Sequence, residues 1–144
     1  MATGNTLQKL VITSEPETIA QARYWVTKHL QNTDFEAEDI FAIELVVGEA
    51  LANVVEHSYQ GQKGQEIHLT LSIDDAKFQL QIRDFGQKFK PADYTPPNLD
   101  IPSEDGGYGV YLIYEIMDEV RYDTTLPQGT ELKLVKYRPG TKPG

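Results

Sequence analysis

The chain has 144 residues, 40% hydrophobic and 24% charged, with a formal net charge of -9, three histidines and no cysteine. That length fits one domain around one core, and the absence of thiols excludes disulfide frameworks, zinc thiolate sites, iron-sulfur clusters and a cysteine nucleophile. An acidic field without any long Lys/Arg cluster argues against direct nucleic-acid binding, and no apolar run approaches the about 20 residues of a membrane span.

Met1 to Thr6 has neither the basic start nor the apolar centre of a secretory signal, so the expected compartment is the cytoplasm. LQKLVIT, Leu7 to Thr13, reads as a strand. Pro16 then suits the first turn of a helix over Glu17 to Gln31, carrying Ile19, Ala22, Tyr24, Trp25, Val26 and Leu30. Thr33-Asp34-Phe35-Glu36 has the form of a capping box and predicts a second, longer helix to about Tyr59, with Ile40, Ile43, Val47, Ala50, Leu51 and Val54 at helical spacing. After the turn residues Gln60 to Gly64, the alternation of Ile67, Leu69, Leu71 and Ile73 with His68, Thr70 and Ser72 predicts a half-buried strand. Asp74-Asp75 turns it into a partner carrying Phe78, Leu80 and Ile82.

Gly86 to Asp105 contains Pro91, Pro96, Pro97 and Pro102 and shows neither period, a length at which a loop in a compact domain usually has a binding or covering role. Gly106-Gly107-Tyr108-Gly109 leads into a helix over Val110 to Met117. Strands around Glu119 to Thr124 and Thr130 to Tyr137 follow, and residues 138–144 read as a flexible tail. The order lacks regular βαβ alternation. It predicts an α/β (α+β) two-layer sandwich, a mostly antiparallel sheet with helices on one face, in one domain over 1–137.

Three local patterns carry chemistry. Residues four apart on an α-helix lie about 40° apart around its axis, so Glu49, Asn53 and His57 form a narrow polar stripe that could converge on one ligand. A carboxylate and an amide oxygen suit a hard cation, and the carboxylate could accept a proton; the plain alternative is a solvated helix face. Asp84-Phe85-Gly86 ends a strand with an acceptor for an exocyclic amine, or is ordinary turn chemistry. Gly106-Gly107-Tyr108-Gly109 lets backbone amides approach an oxyanion at a helix start, or is a flexible loop end, and Gly129-Thr130 is either a turn or a hydroxyl beside Asp84.

Taken in order, these patterns resemble the GHKL (Bergerat-fold) ATPase family over roughly residues 35 to 137. GEALANVVEHSY, IRDFGQKFKP and GGYGVYLIYEIMDEVRY are similar to its bacterial anti-sigma factor serine/threonine kinase branch. The resemblance implies ATP and Mg²⁺ as cofactors, with Asn53 on the metal, Glu49 as general base and His57 supporting the nucleotide site. It further implies Asp84 on the adenine amine with Gly86 shaping that pocket and Thr130 assisting. Gly106, Gly107 and Gly109 would form the phosphate-covering glycine box, and residues 87–105 the nucleotide lid. Lys88 stands where broader members carry a second glycine. The implied partners are a STAS-domain anti-sigma factor antagonist, phosphorylated on Ser or Thr, and an RNA polymerase sigma factor, with a homodimer as the expected assembly. The alternative is an ATP-sensing or catalytically silent module that sequesters a sigma factor or another regulator.

Overall fold

The computed structural model describes residues 6–91 and 108–143. Most of the expected lid, and Gly106 and Gly107 of the glycine box, lie outside the described residues.

Strand β1 (Thr6–Thr13) leads into helix α1 (Pro16–Leu30), where Pro16 occupies the first turn and its missing N–H leaves no bond unmade. Ala22, Val26 and Leu30, spaced by four, are buried, with Ile19 and Trp25 packed beside them; Tyr24 points outward. Helix α2 (Ala37–Asn53) starts later than a capping box at Thr33 predicts. Glu36 precedes it without a side-chain cap bond. Thr33 Oγ1 instead donates to the Leu30 carbonyl at 2.6 Å and accepts the Phe35 N–H at 3.3 Å. Thr33 is too far upstream of Ala37 to reach the free N–H groups of α2, so it closes the exit of α1 instead.

The second helix also does not reach Tyr59 in one geometry. A π-helical turn, Val54–Ser58, follows α2, and the Tyr59 N–H bonds to the Val54 carbonyl at 3.0 Å, five residues back instead of four.

Strands β2 (Glu66–Ile73) and β3 (Lys77–Asp84) form the expected hairpin, and helix α3 (Tyr108–Ile116) precedes β4 (Glu119–Asp123) and β5 (Glu131–Tyr137). The sheet order is β1-β2-β3-β5-β4, and every neighbouring pair is antiparallel. Ile67, Leu69 and Leu71 of β2, Leu80 and Ile82 of β3 and Leu134 of β5 are buried on one face, in one core with Val26, Ile43, Val47, Leu51 and Ile113 of the helices. The alternate residues His68, Thr70, Ser72, Gln79, Gln81 and Arg83 remain partly exposed. This is the two-layer architecture that strict alternation in β2 and β3 predicts, since only one side of each strand is apolar.

Of the residues expected as a tail, Arg138 pairs with Asp34 at 2.6 Å and donates to the Asp74 carbonyl at 2.7 Å, and Lys142 lies 3.1 Å from Asp118.

The turn before β5 meets the end of β3 backbone to backbone. Gly129 has φ +74°, and a Cβ there would lie 2.1 Å from the Asp84 carbonyl oxygen. Only glycine accepts both the left-handed conformation and the contact. Gly129→Ala is expected to lower the unfolding free energy by at least about 2 kcal/mol, read as a lower urea midpoint at unchanged slope.

Candidate functional site

Asp84 is the last residue of β3 and only 2% exposed. Its Oδ1 accepts the Gly86 N–H at 3.0 Å and its Oδ2 accepts the Ser58 hydroxyl at 3.2 Å. Burial pushes the carboxyl above its ordinary range, opposed by these two hydrogen bonds, by the Thr130 backbone and by the Arg83 charge. Its own N–H bonds to the Thr130 carbonyl at 3.0 Å, which fixes the end of β3 against the entry to β5.

Asp84 lines a small cavity with Asn53, Ser58 and Thr130, the apolar side chains Ala50, Val54, Ile82 and Leu132, and the rings of Phe89 and Tyr122. The remaining space, about 10 Å³, is about what one water molecule needs. Phe89 forms one wall. Its N–H is held by Thr130 Oγ1 at 2.9 Å, its ring stacks on His57 with centroids 4.7 Å apart and planes 7° apart, and it meets Tyr122 edge-on at 6.1 Å.

The π-turn decides which helix residues face this cavity. Asn53 reaches it from the last turn of α2, and Ser58, five residues later, reaches it through Asp84. His57, four residues after Asn53, is exposed and stacks on the outer side of Phe89. The straight α-helical stripe therefore holds from Glu49 to Asn53 and bends at the π-turn. Glu49 lies toward α3: a Cβ on Gly109 would come within 2.6 Å of Glu49 Oε2, so the carboxylate rests against the first turn of that helix.

Gly86 and Ser58 make a second close approach. A Cβ on Gly86 would lie 2.2 Å from the Ser58 carbonyl oxygen, which accepts the Gln87 N–H at 2.7 Å. The structure thus brings Asn53, Asp84 and Thr130 to one cavity, with Gly86 at its edge, and sets Glu49 and Gly109 against each other. Lys88 is engaged elsewhere, its ammonium donating to the carbonyls of Thr124 and Leu126 in the β4–β5 turn.

Sequence reasoning missed Ser58, Phe89 and Tyr122. A serine beside His57 carries no signal without knowledge of the π-turn, and Phe89 and Tyr122 look like any loop or strand aromatic. Two cavity-facing polar atoms, Asn53 Nδ2 and Tyr122 Oη, are buried without a hydrogen-bond partner among the described residues. No helix among the described residues is long and apolar enough to cross a membrane, and no group of three acidic or histidine side chains among them could hold a metal alone.

Comparison with known proteins shows the family. The family model for the histidine kinase-like ATPase domain matches residues 12–136. Serine-protein kinase RsbW of Bacillus velezensis is 26% identical, over 99% of this chain and 92% of that protein. The RsbW of Bacillus subtilis is 25% identical over 93% and 87%, and anti-sigma F factor of Halalkalibacterium halodurans is 32% identical over 81% and 82%.

The raised pKa of Asp84 has a consequence for stability. The folded state favours the protonated carboxyl, so this group's stabilising contribution is complete below its unfolded pKa and is lost as pH rises through the higher folded value. Asp84→Asn removes the ionisable group and keeps a planar polar side chain. The variant is expected to melt higher than the native chain near about pH 8, with the gain shrinking toward about pH 4, as followed by thermal unfolding at both.

Proposed function

Because the chain belongs to the histidine kinase-like ATPase (GHKL) family, in the branch of anti-sigma factor serine-protein kinases, we propose that it binds Mg-ATP and phosphorylates a serine or threonine of a STAS-domain anti-sigma factor antagonist, releasing or retaining an RNA polymerase sigma factor accordingly. The observation that carries this reading is the buried Asp84 carboxylate at the end of β3, held by Ser58 and Gly86 in an otherwise largely apolar cavity beside Asn53, whose amide nitrogen has no hydrogen-bond partner among the described residues. The relatives' names, serine-protein kinase and anti-sigma F factor, support the choice of reaction and partners. A homodimer is part of the proposal, supported by β1, which is an edge strand with Leu7 59% and Val11 55% exposed.

Each residue has a role that follows from its place. Asp84 accepts a hydrogen bond from the adenine amine, with Thr130 and Gly86 shaping the same pocket. The purine needs more than the space present, so the Phe89 ring swings away from Tyr122 as the base enters, exchanging its stack on His57 for the new ligand surface. Asn53 would hold Mg²⁺ through its amide oxygen, the kind of ligand a hard cation takes, and a nucleotide-borne Mg²⁺ typically takes only one or two protein oxygens while keeping phosphate and water ligands, so no acidic cluster is required. When bound, the ion offsets phosphate charge, which a protein of net charge -9 does not do by its overall field. Glu49 takes the proton of the acceptor hydroxyl as that oxygen bonds to the γ-phosphorus and the bond to ADP breaks. The glycine box of Gly106, Gly107 and Gly109 is assigned to the phosphates, with backbone N–H groups as the donors.

Glu49→Gln is expected to slow phosphoryl transfer to the antagonist by about 10²- to 10⁴-fold with nucleotide affinity kept, measured by radiolabel transfer beside calorimetry. Native transfer rates in that variant would remove Glu49 from the base role. In calorimetry of the native chain and its variants, Asp84→Asn is expected to abolish ATP binding and Asn53→Ala to remove its Mg²⁺ dependence. Tight ATP binding with no transfer to any STAS protein would identify a silent binding module instead.

A further inference from the structure

Tyr122 is in β4 opposite Leu132, and Leu132 in turn pairs with Ile82 of β3. Both strand neighbours are apolar and offer the hydroxyl no acceptor, and the Tyr114 phenol of α3 acts on it electrostatically without a hydrogen bond to it. Its oxygen is buried and has no hydrogen-bond partner among the described residues, yet the side chain lines the cavity that holds Asp84. Buried tyrosine hydroxyls normally find a partner, because leaving one without water or acceptor is costly. Phenylalanine would fill the same volume without that cost. The other described hydroxyls of the cavity are already used: Ser58 donates to Asp84, and Thr130 accepts from Phe89.

The strand register puts Tyr122 on the sheet face that carries Asp84. Thr130 and Asp84 are two residues along β5 and β3 from Leu132 and Ile82, on the same face as the row that includes Tyr122. Thr130 is the diagonal same-face neighbour of Tyr122 across one strand pair, about 7–8 Å away, and Asp84 lies one strand further, on the other side of β5. The cavity therefore offers an acceptor at Asp84 and a donor at Tyr122. Adenine presents a donor amine flanked by ring-nitrogen acceptors, N1 on one edge and N7 on the other. Guanine places a carbonyl oxygen where the amine would be, against the Asp84 carboxylate.

Building on the ATP site proposed above, we infer that Tyr122 is a specificity-determining residue, its hydroxyl donating a hydrogen bond to a ring nitrogen next to the adenine amine. Burial, reinforced by Tyr114, raises the pKa of this phenol, so it stays protonated and remains a donor across the physiological range.

The test is a binding cycle on the full chain, with ATP, 1-deaza-ATP and 7-deaza-ATP against the native protein and Tyr122→Phe, read by calorimetry. One deaza analogue is expected to bind the native chain about 5- to 100-fold more weakly than ATP, since it leaves the buried hydroxyl unpaired. Tyr122→Phe is expected to lose a similar factor for ATP and to bind that analogue and ATP with nearly equal affinity, which a merely structural tyrosine would not do. Its thermal midpoint is expected to equal or exceed the native one, because an unpaired buried hydroxyl has been removed. The analogue arm on the native chain needs no substitution and stands whatever the variant's yield. If the native chain binds ATP and both analogues within about twofold of each other, the inference is overturned while the ATP site stands. If the native chain binds no ATP, both fall together.

Discussion

The carboxylate of Asp84 is buried at the C-terminal end of β3, where burial works against its charge. What opposes that cost is chiefly two neutral donors, the Gly86 N–H and the Ser58 hydroxyl, and each is present only because a backbone comes unusually close. Gly86 passes so near the Ser58 carbonyl that a Cβ would overlap it, and Gly129 passes as near the Asp84 carbonyl. The end of the second helix, the end of β3 and the start of β5 are locked together around one acidic side chain. Displacing any of the three would remove one of the groups that hold the carboxylate: Ser58, Gly86 or the Thr130 backbone.

That lock explains the break in helix geometry. An uninterrupted α-helix would carry the stripe of Glu49 and Asn53 on to His57. The π-turn adds a residue to the step, so Ser58 turns inward and His57 outward. Local helix regularity is given up where the helix meets the carboxylate, in keeping with the frequent occurrence of π-turns at functional sites. His57 then serves the outer surface, as the flat partner of Phe89, while the Asn53 amide nitrogen is buried with no hydrogen-bond partner among the described residues.

The cavity's composition follows the same economy of polar groups. Its walls are mostly aliphatic and aromatic, so a flat ring is the natural occupant, and the few polar atoms decide its orientation. Phe89 already sets one flat ring at the wall, between His57 and Tyr122. In the proposed reading the acidic overall charge does not conflict with an anionic ligand, because backbone amides, a helix start and a metal would meet the phosphates.

The hairpin of β2 and β3, the three helices, the antiparallel sheet and the wet outer face are legible in the sequence because alternation and helical spacing report which side of an element is apolar, a property set by neighbours in the chain. Asp84, Asn53, Thr130 and Glu49 were legible for another reason, the order of short motifs that marks the family. Thr33 misled, since capping-box chemistry can as well close the preceding helix when the next one starts late. Ser58, Phe89 and Tyr122 carry no such local signal: Ser58 faces Asp84 only through a π-turn, and Phe89 and Tyr122 meet only when the segment after β3 folds back over β4. By itself the sequence determined the elements, their apolar faces and the order of motifs that marks the family. The tertiary structure alone decided which polar atoms share one cavity, because that depends on contacts between residues far apart in the chain, and those have no periodicity to read.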